Sequence, residues 1–189
     1  MSPNTIFISI LIILFLAVFY FDFKYDMLKD ISTAKRKPYS FSRVQLAWWS
    51  VIILTSFITI IATKGIPTFH QSQLVLLGIS ALTTGSARLI DTSDQSNNVS
   101  MIQNDERQNL LLDILSDSNG VSIHRFQSLV FNITFGIWFI SEVLQKLPGS
   151  AASNIMPVLS QNDLILLGLS SGAYVALKAT ENKTQTAVG

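Results

Sequence analysis

Gln73-Leu74-Val75-Leu76-Leu77-Gly78-Ile79-Ser80 and Asp163-Leu164-Ile165-Leu166-Leu167-Gly168-Leu169-Ser170 are two versions of one apolar segment. A second shared mark stands upstream of each, Arg43-Val44-Gln45 before the first and Arg125-Phe126-Gln127 before the second. The Arg-x-Gln marks lie 82 residues apart (43 and 125) and the Leu-Leu-Gly marks 90 (78 and 168). In the same register Arg88 answers Lys178, and Ser50 answers Asn132. Self-similarity inside long apolar runs points to a membrane protein built by duplicating a two-helix unit. The eight-residue difference belongs in or near the connection between the two helices of the unit, where insertions are tolerated.

Composition points the same way. Of 189 residues, 49% are hydrophobic and only 13% charged, where a soluble domain carries about a quarter charged. The length predicts one domain. Cysteine is absent, which excludes disulfides, thiolate nucleophiles and cysteine-based metal sites.

Five apolar runs follow one another. Ile6 to Phe21 is nearly unbroken and, with Phe23, approaches the roughly 20 residues a spanning helix needs. No Lys or Arg precedes it and no small-residue cleavage site follows, so a retained helix is expected rather than a cleaved signal. Tyr20, Phe21, Phe23 and Tyr25 suit the headgroup region at its end. Leu46 to Thr63 is entered through Pro38 and Ser40 or Ser42, residues fitted to a helix start. Lys64 to His70 turns the chain into Leu74 to Leu89. The polar stretch Asp91 to Asn98 reads as a loop. Ser100 to Ser116 reads as an amphipathic helix on the membrane surface or under the bundle, with Gly120 as its left-handed cap. Phe126 to Leu144 and Leu164 to Leu177 repeat the hairpin around a longer loop, Gln145 to Asn162. The last run is the weak one, because about 14 residues reach only about 21 Å.

The fold class is therefore an all-α integral membrane protein of about five transmembrane helices, with two parallel helical-hairpin repeats and an N-terminal helix. Five segments follow: 1–34, N-terminal helix and cytoplasmic linker; 35–90, first hairpin; 91–123, cytoplasmic loop with the amphipathic helix; 124–180, second hairpin; 181–189, flexible cytoplasmic tail. If the segment after the first helix is cytoplasmic, then Lys24, Lys29, Lys35, Arg36, Lys37, Arg43, Arg88, Arg107, Arg125, Lys178 and Lys183 lie inside, and only Lys64 and Lys146 outside. That bias of 11 to 2 predicts a multi-pass membrane protein with its N-terminus outside and its C-terminus inside.

The run Asp113-Ile114-Leu115-Ser116-Asp117-Ser118-Asn119-Gly120-Val121-Ser122-Ile123-His124-Arg125-Phe126-Gln127, with Lys37-Pro38-Tyr39-Ser40 and the paired Leu-Gly-x-Ser helices, resembles a signature of poorly characterised bacterial inner-membrane proteins. The resemblance covers roughly Lys35 to Glu181. It implies a membrane architecture and brings no catalytic residue with it.

Candidate site residues fall into three groups. Gly168, Gly172 and Ala176 recur every fourth residue and, with Gly78, form the expected small-residue packing face. Ser80, Thr83, Thr84, Asn132 and Thr134 could line a polar path, with Thr55, Ser56 and Thr59 beside them; hydroxyls in lipid also serve as interhelical glue, and both readings stand. Arg43, Gln45, Arg125 and Gln127 are placed for lipid headgroups, or for snorkelling from the helix ends. His70 and His124 are expected on opposite faces, which excludes a joint metal site, and the acids around Asp113 lack calcium-loop spacing. Glu142 and Asp163 are expected at the interface, as a cap or as a partner of Lys146. No catalytic, cofactor or metal residues are expected.

Two function classes follow. The first is a non-enzymatic, homo-oligomeric membrane sensor, anchor or pore-type effector, working with a soluble cytoplasmic partner through 91–123, in a setting such as phage defence. The alternative is a small transporter or lipid-handling protein, which would suit the duplication but lacks a midplane charge or broken helix. Membrane lipids are expected partners, and direct nucleic-acid binding is not.

Overall fold

The computed structural model describes residues 1–30, 37–96, 109–117 and 120–178. Helix α1 spans Pro3–Tyr25, with Pro3 in its first turn and the Ser2 hydroxyl accepting from the Thr5 amide at 3.2 Å. It stops at Asp26, whose left-handed backbone (φ 53°) is one that Asp tolerates. Helix α2 runs Phe41–Lys64 and ends at Gly65, whose φ of 104° only glycine adopts freely.

Helix α3 covers Gln71–Ser96 and continues six residues beyond Ile90, into the stretch expected to be a loop. Adding residues to an existing helix is easy where nucleating one is not, so weak helix formers such as Asp, Thr and Ser are carried along. Helix α4 is Leu110–Leu115, the end of the expected amphipathic helix; 97–108 lies outside the described residues. Gly120 does not cap that helix. It pairs with Asp117 in a two-stranded ribbon, β1 (Ser116–Asp117) and β2 (Gly120–Val121), with a φ of 115° that glycine adopts freely. Helices α5 (Ile123–Lys146) and α6 (Gln161–Lys178) follow, with a short 3₁₀ turn at Ala152–Asn154 between them.

Helices α2, α3, α6 and α5 form a ring in which each packs against the next, and α1 lies outside against α2. Cross-helix bonds fix the directions: Trp49 meets Asn132 part-way along α2 and α5, and Lys64 at the end of α2 donates to the Pro148 carbonyl just past the end of α5 at 3.2 Å, so these two helices run parallel. Ser72 and Leu159 join the starts of α3 and α6, so these run parallel as well. Helices α2 and α5 are each 24 residues long and lie 82 apart at both ends, while α3 and α6 start 90 apart, at 71 and 161. The eight extra residues thus fall in the connection between α5 and α6.

Among the described residues four helices are long and apolar enough to cross a membrane: α1, α2, α3 and α5. Helix α6 is not among them, because its 18 residues include Gln161, Asn162, Asp163 and Lys178. The larger of two core clusters runs through the ring, with Trp49, Ile52, Ile60, Leu76, Phe139 and Leu167 all fully or almost fully buried. The connection 147–160 folds inward over one end of it, burying Leu147, Ile155, Met156 and Leu159. This end, where α2 and α5 finish, is called the far end. The other is the α4 end.

Candidate functional site: a polar interior closed by a short helix

Halfway along the ring, one side chain joins two helices. The Asn132 carbonyl oxygen accepts from the Trp49 indole at 2.7 Å, and its amide donates to the Ser128 backbone carbonyl at 2.7 Å. Its backbone carbonyl accepts from Trp48 at 3.0 Å. Both tryptophans of α2 are thereby pinned to α5. Gly136, one turn on, makes room for this: a Cβ there would stand 2.6 and 2.7 Å from the Trp48 ring atoms Cζ2 and Cε2.

Toward the α4 end the interior becomes polar. Gln45 of α2 donates across the ring to the Ser171 hydroxyl of α6 at 2.9 Å. Thr84 of α3 donates to the Ser42 carbonyl of α2 at 3.0 Å, and also to Ser80 one turn back. Ser80 is fully buried and its hydroxyl has no partner, as is true of the Gln45 carbonyl oxygen and the Thr55 hydroxyl. Ser56, Thr59, Thr63 and Thr83 donate to carbonyls four residues back in their own helices. Such bonds satisfy a hydroxyl in an apolar layer without joining helices.

Helix α4 closes this end. Ile114, 2% exposed, packs in a second cluster with Phe41 and Val44 of α2, Ala87 of α3, Leu129 of α5 and Val175 of α6. Every helix of the ring contributes. Arg125, at the start of α5 and largely buried, donates to the Ser116 carbonyl at 2.9 Å and ties the ribbon to the bundle. The buried Asp113 carboxylate accepts from the Tyr39 amide at 3.4 Å. Leu110, Leu111 and Leu112 stand exposed on α4's outer side.

The link between α1 and α2 joins the same end. The buried Asp22 carboxylate accepts from the Leu28 amide at 2.9 Å, and Ser40 donates its amide to the Leu28 carbonyl at 2.8 Å. Asp26 pairs with Lys29 at 2.6 Å and Lys37 at 3.3 Å. The bond from Lys29, then that from Lys37, holds the Asp26 carboxyl below its ordinary value, and Lys29 is raised in turn by its bond to Asp26. Burial, then a hydrogen bond with Asp22, raises Tyr39. Tyr39 thus connects α1, through Asp22, to α4, through Asp113.

The expected site residues separate. Ser80, Thr83, Thr84 and Asn132 face the interior, and Thr134 is exposed on the outside of α5. Gly168 packs on α3, where a Cβ would meet the Ile79 Cδ1 at 3.7 Å, while Gly78 is half-buried with open space at its Cβ position. Gly172 and Ala176 are exposed, and the inward face of α6 is made by Leu167 and Ser171. The two Arg-x-Gln marks differ in burial: Gln45 is buried beside a partly exposed Arg43, whereas Arg125 is buried beside an exposed Gln127. Arg43 donates to the Met27 carbonyl at 3.4 Å. His70 and His124 lie at opposite ends, Glu142 pairs with Lys146 at 2.7 Å, and Asp163 caps α6 reciprocally with Ser160. Among the described residues no group of three His, Asp or Glu could hold a metal ion.

Ile114, Gly136, Tyr39 and Asp22 are the structural residues that sequence patterning passed over. Asp22 carried a signal, as an acid in the last turn of an otherwise apolar helix. No family model matches the chain, and neither a curated protein nor a solved structure is similar to it.

Proposed function

We propose that this chain is a non-enzymatic, multi-pass protein of the bacterial inner membrane that acts as an anchor or sensor for a soluble cytoplasmic partner, with α4 as the link between the two. The observation that carries this reading is the apolar cluster that Ile114 shares with residues of all four ring helices. Whatever binds the 91–123 segment and shifts α4 acts on every helix of the ring at once.

Membrane insertion is supported by an inside-out distribution of side chains. Ile12, Ile13, Leu16 and Phe19 of α1, Leu74 and Leu82 of α3, Ile137 of α5 and Leu169 of α6 are exposed, while Gln45, Gln73, Thr55, Ser80 and Asn132 are buried. In water that arrangement would forfeit the hydrophobic effect, and in lipid it is the favourable one. Helix α6 is the fifth span in this reading, since it lies in the layer of α3 and α5 and its polar first turn reaches the interface. Duplication is supported by the shared 82- and 90-residue offsets and parallel hairpins, and the orientation by the 11-to-2 charge bias.

A pore through one subunit is disfavoured, because Trp49, Ile52, Leu76, Phe139 and Leu167 fill the ring. Conduction would require a path between copies in a homo-oligomer, for which the exposed face of Gly172 and Ala176 on α6 is available. The test places a photo-crosslinking amino acid at Leu111 or Leu112 in growing cells and reconstitutes the purified protein in liposomes. Crosslinks to a soluble protein, with dye retained in the vesicles, are expected. Crosslinks only to lipid or to the chain itself, with dye released by the protein alone, would overturn the anchor reading in favour of a pore.

A further inference from the structure

At the far end, a groove of about 760 Å³ opens between α3 and α6. Its polar groups gather at the mouth, with His70 and Gln71 at the start of α3 and Gln161 at the start of α6, beside Val158 and Leu159 of the connection. Its floor is apolar: Val75 and Ile79 lie one and two turns further along α3, and Ile165 one turn along α6. From Gln71 to Ile79 the axis advances about 12 Å. Gly168 of α6 faces Ile79, where a Cβ would make an ordinary contact with Cδ1 at 3.7 Å. Among the described residues no Asp, Glu, Lys or Arg lines the groove.

We infer that this groove is a binding site for a phospholipid of the outer leaflet, with one acyl chain along Val75, Ile79 and Ile165 and the headgroup end at Gln71, Gln161 and His70. The inference rests on the membrane reading above. Three features select the occupant. The polar-to-apolar gradient runs along the helices, as it does along a phospholipid standing in a bilayer. The apolar floor is continuous with exposed membrane-facing residues, since Val75 and Ile165 are themselves 37% and 49% exposed. The volume lies in the range of sites that hold one small molecule, while a wholly polar solute would leave the floor against water. Uncharged amides with a histidine can donate to phosphate or ester oxygens and accept from an ammonium headgroup.

The test uses the full chain in nanodiscs containing a phosphatidylethanolamine with a photoreactive group midway along one acyl chain. Crosslinks should concentrate on peptides carrying Val75, Ile79 and Ile165, and native mass spectrometry should retain one tightly held phospholipid. Val75→Trp and Ile165→Trp, which fill the floor, should lose both signals severalfold. Leu82→Trp, on the exposed side of α3 outside the groove, should keep them. In the unaltered protein, unlabelled phospholipid should compete and glycerophosphoethanolamine, which has the headgroup without the chains, should not. Labelling as heavy around Leu82 as in the groove, or undiminished by competing phospholipid, would overturn the inference. So would a crosslink from Ile165→Cys to a second copy or another protein. Recovery of the chain in the soluble fraction without detergent would instead overturn the membrane reading itself.

Discussion

Trp49 is fully buried, and its indole N–H has one acceptor, the Asn132 carbonyl oxygen. A polar bond between helices in lipid contributes only about 0.6 kcal/mol on average, but a buried donor left with no acceptor costs about 1–3 kcal/mol. The second effect decides the outcome for Asn132→Leu, which keeps the volume and removes the acceptor. A drop in detergent-solubilised melting temperature corresponding to about 1–3 kcal/mol is expected, together with a change in tryptophan near-ultraviolet circular dichroism. Thr134→Leu should leave both unchanged. These two positions look alike in the sequence, being polar residues two apart in one apolar run. About 100° per residue turns them to opposite sides of the helix, and which side faces the ring is decided by α2, not by α5's own sequence. Gly136 was illegible for the same reason, since its requirement is set by Trp48 of another helix. Gly136→Ala should therefore cost about 1–3 kcal/mol through overpacking. Gly78→Ala, with open space at the Cβ position, should be neutral or stabilising by up to about 1 kcal/mol from helix propensity. A thermal-shift comparison of the two variants checks this.

Six residues are too few to hold a helix by local bonding, so α4 is ordered by what it packs against. Ile114→Asp puts a charge among Phe41, Ala87, Leu129 and Val175. It should release α4 and the ribbon, which limited proteolysis would detect as new cleavage within 110–121, while the ring keeps its helical circular dichroism. Loss of the whole helical signal would show that α4 is an integral part of the fold rather than a separable link. The mixture of apolar and charged residues in this segment was legible as amphipathic, and a place under the bundle was one of its two readings. The single isoleucine that enters could not be chosen, because its socket is assembled from four distant helices. The α1–α2 link has a pH dependence of known sign. Asp26 is depressed in the folded state, so its contribution is present above its ordinary 3.8 and lost as pH falls through the lowered value. Lys29 is raised, so its contribution is present below its ordinary 10.5 and lost as pH rises through the raised value. Protection of the Leu28 and Ser40 amides from hydrogen exchange, corrected for intrinsic rate, should therefore be flat near neutrality and fall on the acid limb. Asp26→Asn should weaken the acid limb.

At the scale of the whole molecule, the long apolar runs marked most of the helices, because a helix of about 20 residues that is apolar over its length stands out in a sequence. The offsets of 82 and 90 residues, read from Arg-x-Gln and Leu-Leu-Gly, are also the offsets of the helix starts. What stayed hidden was the closure of the two ends. The loop expected over Gln145 to Asn162 carried no periodic sign of a core role, yet Leu147, Ile155, Met156 and Leu159 turn inward over the ring. Sidedness can be tested cleanly, since the chain has no cysteine and any introduced thiol is the sole target of a membrane-impermeant maleimide. Ser2 and Ser153 are exposed at the far end, and Leu112 is exposed on α4 at the other. Lysines and arginines are retained on the cytoplasmic side, so Ser2→Cys and Ser153→Cys should label in spheroplasts, and Leu112→Cys only in inverted vesicles. An epitope added after Gly189 should be reached by antibody from the side of Leu112 if α6 crosses with α3, and from the side of Ser153 if it does not. Labelling of Leu112→Cys in intact spheroplasts would reverse the orientation and remove a cytoplasmic partner from consideration, while leaving the ring and its closure by Ile114 as they are.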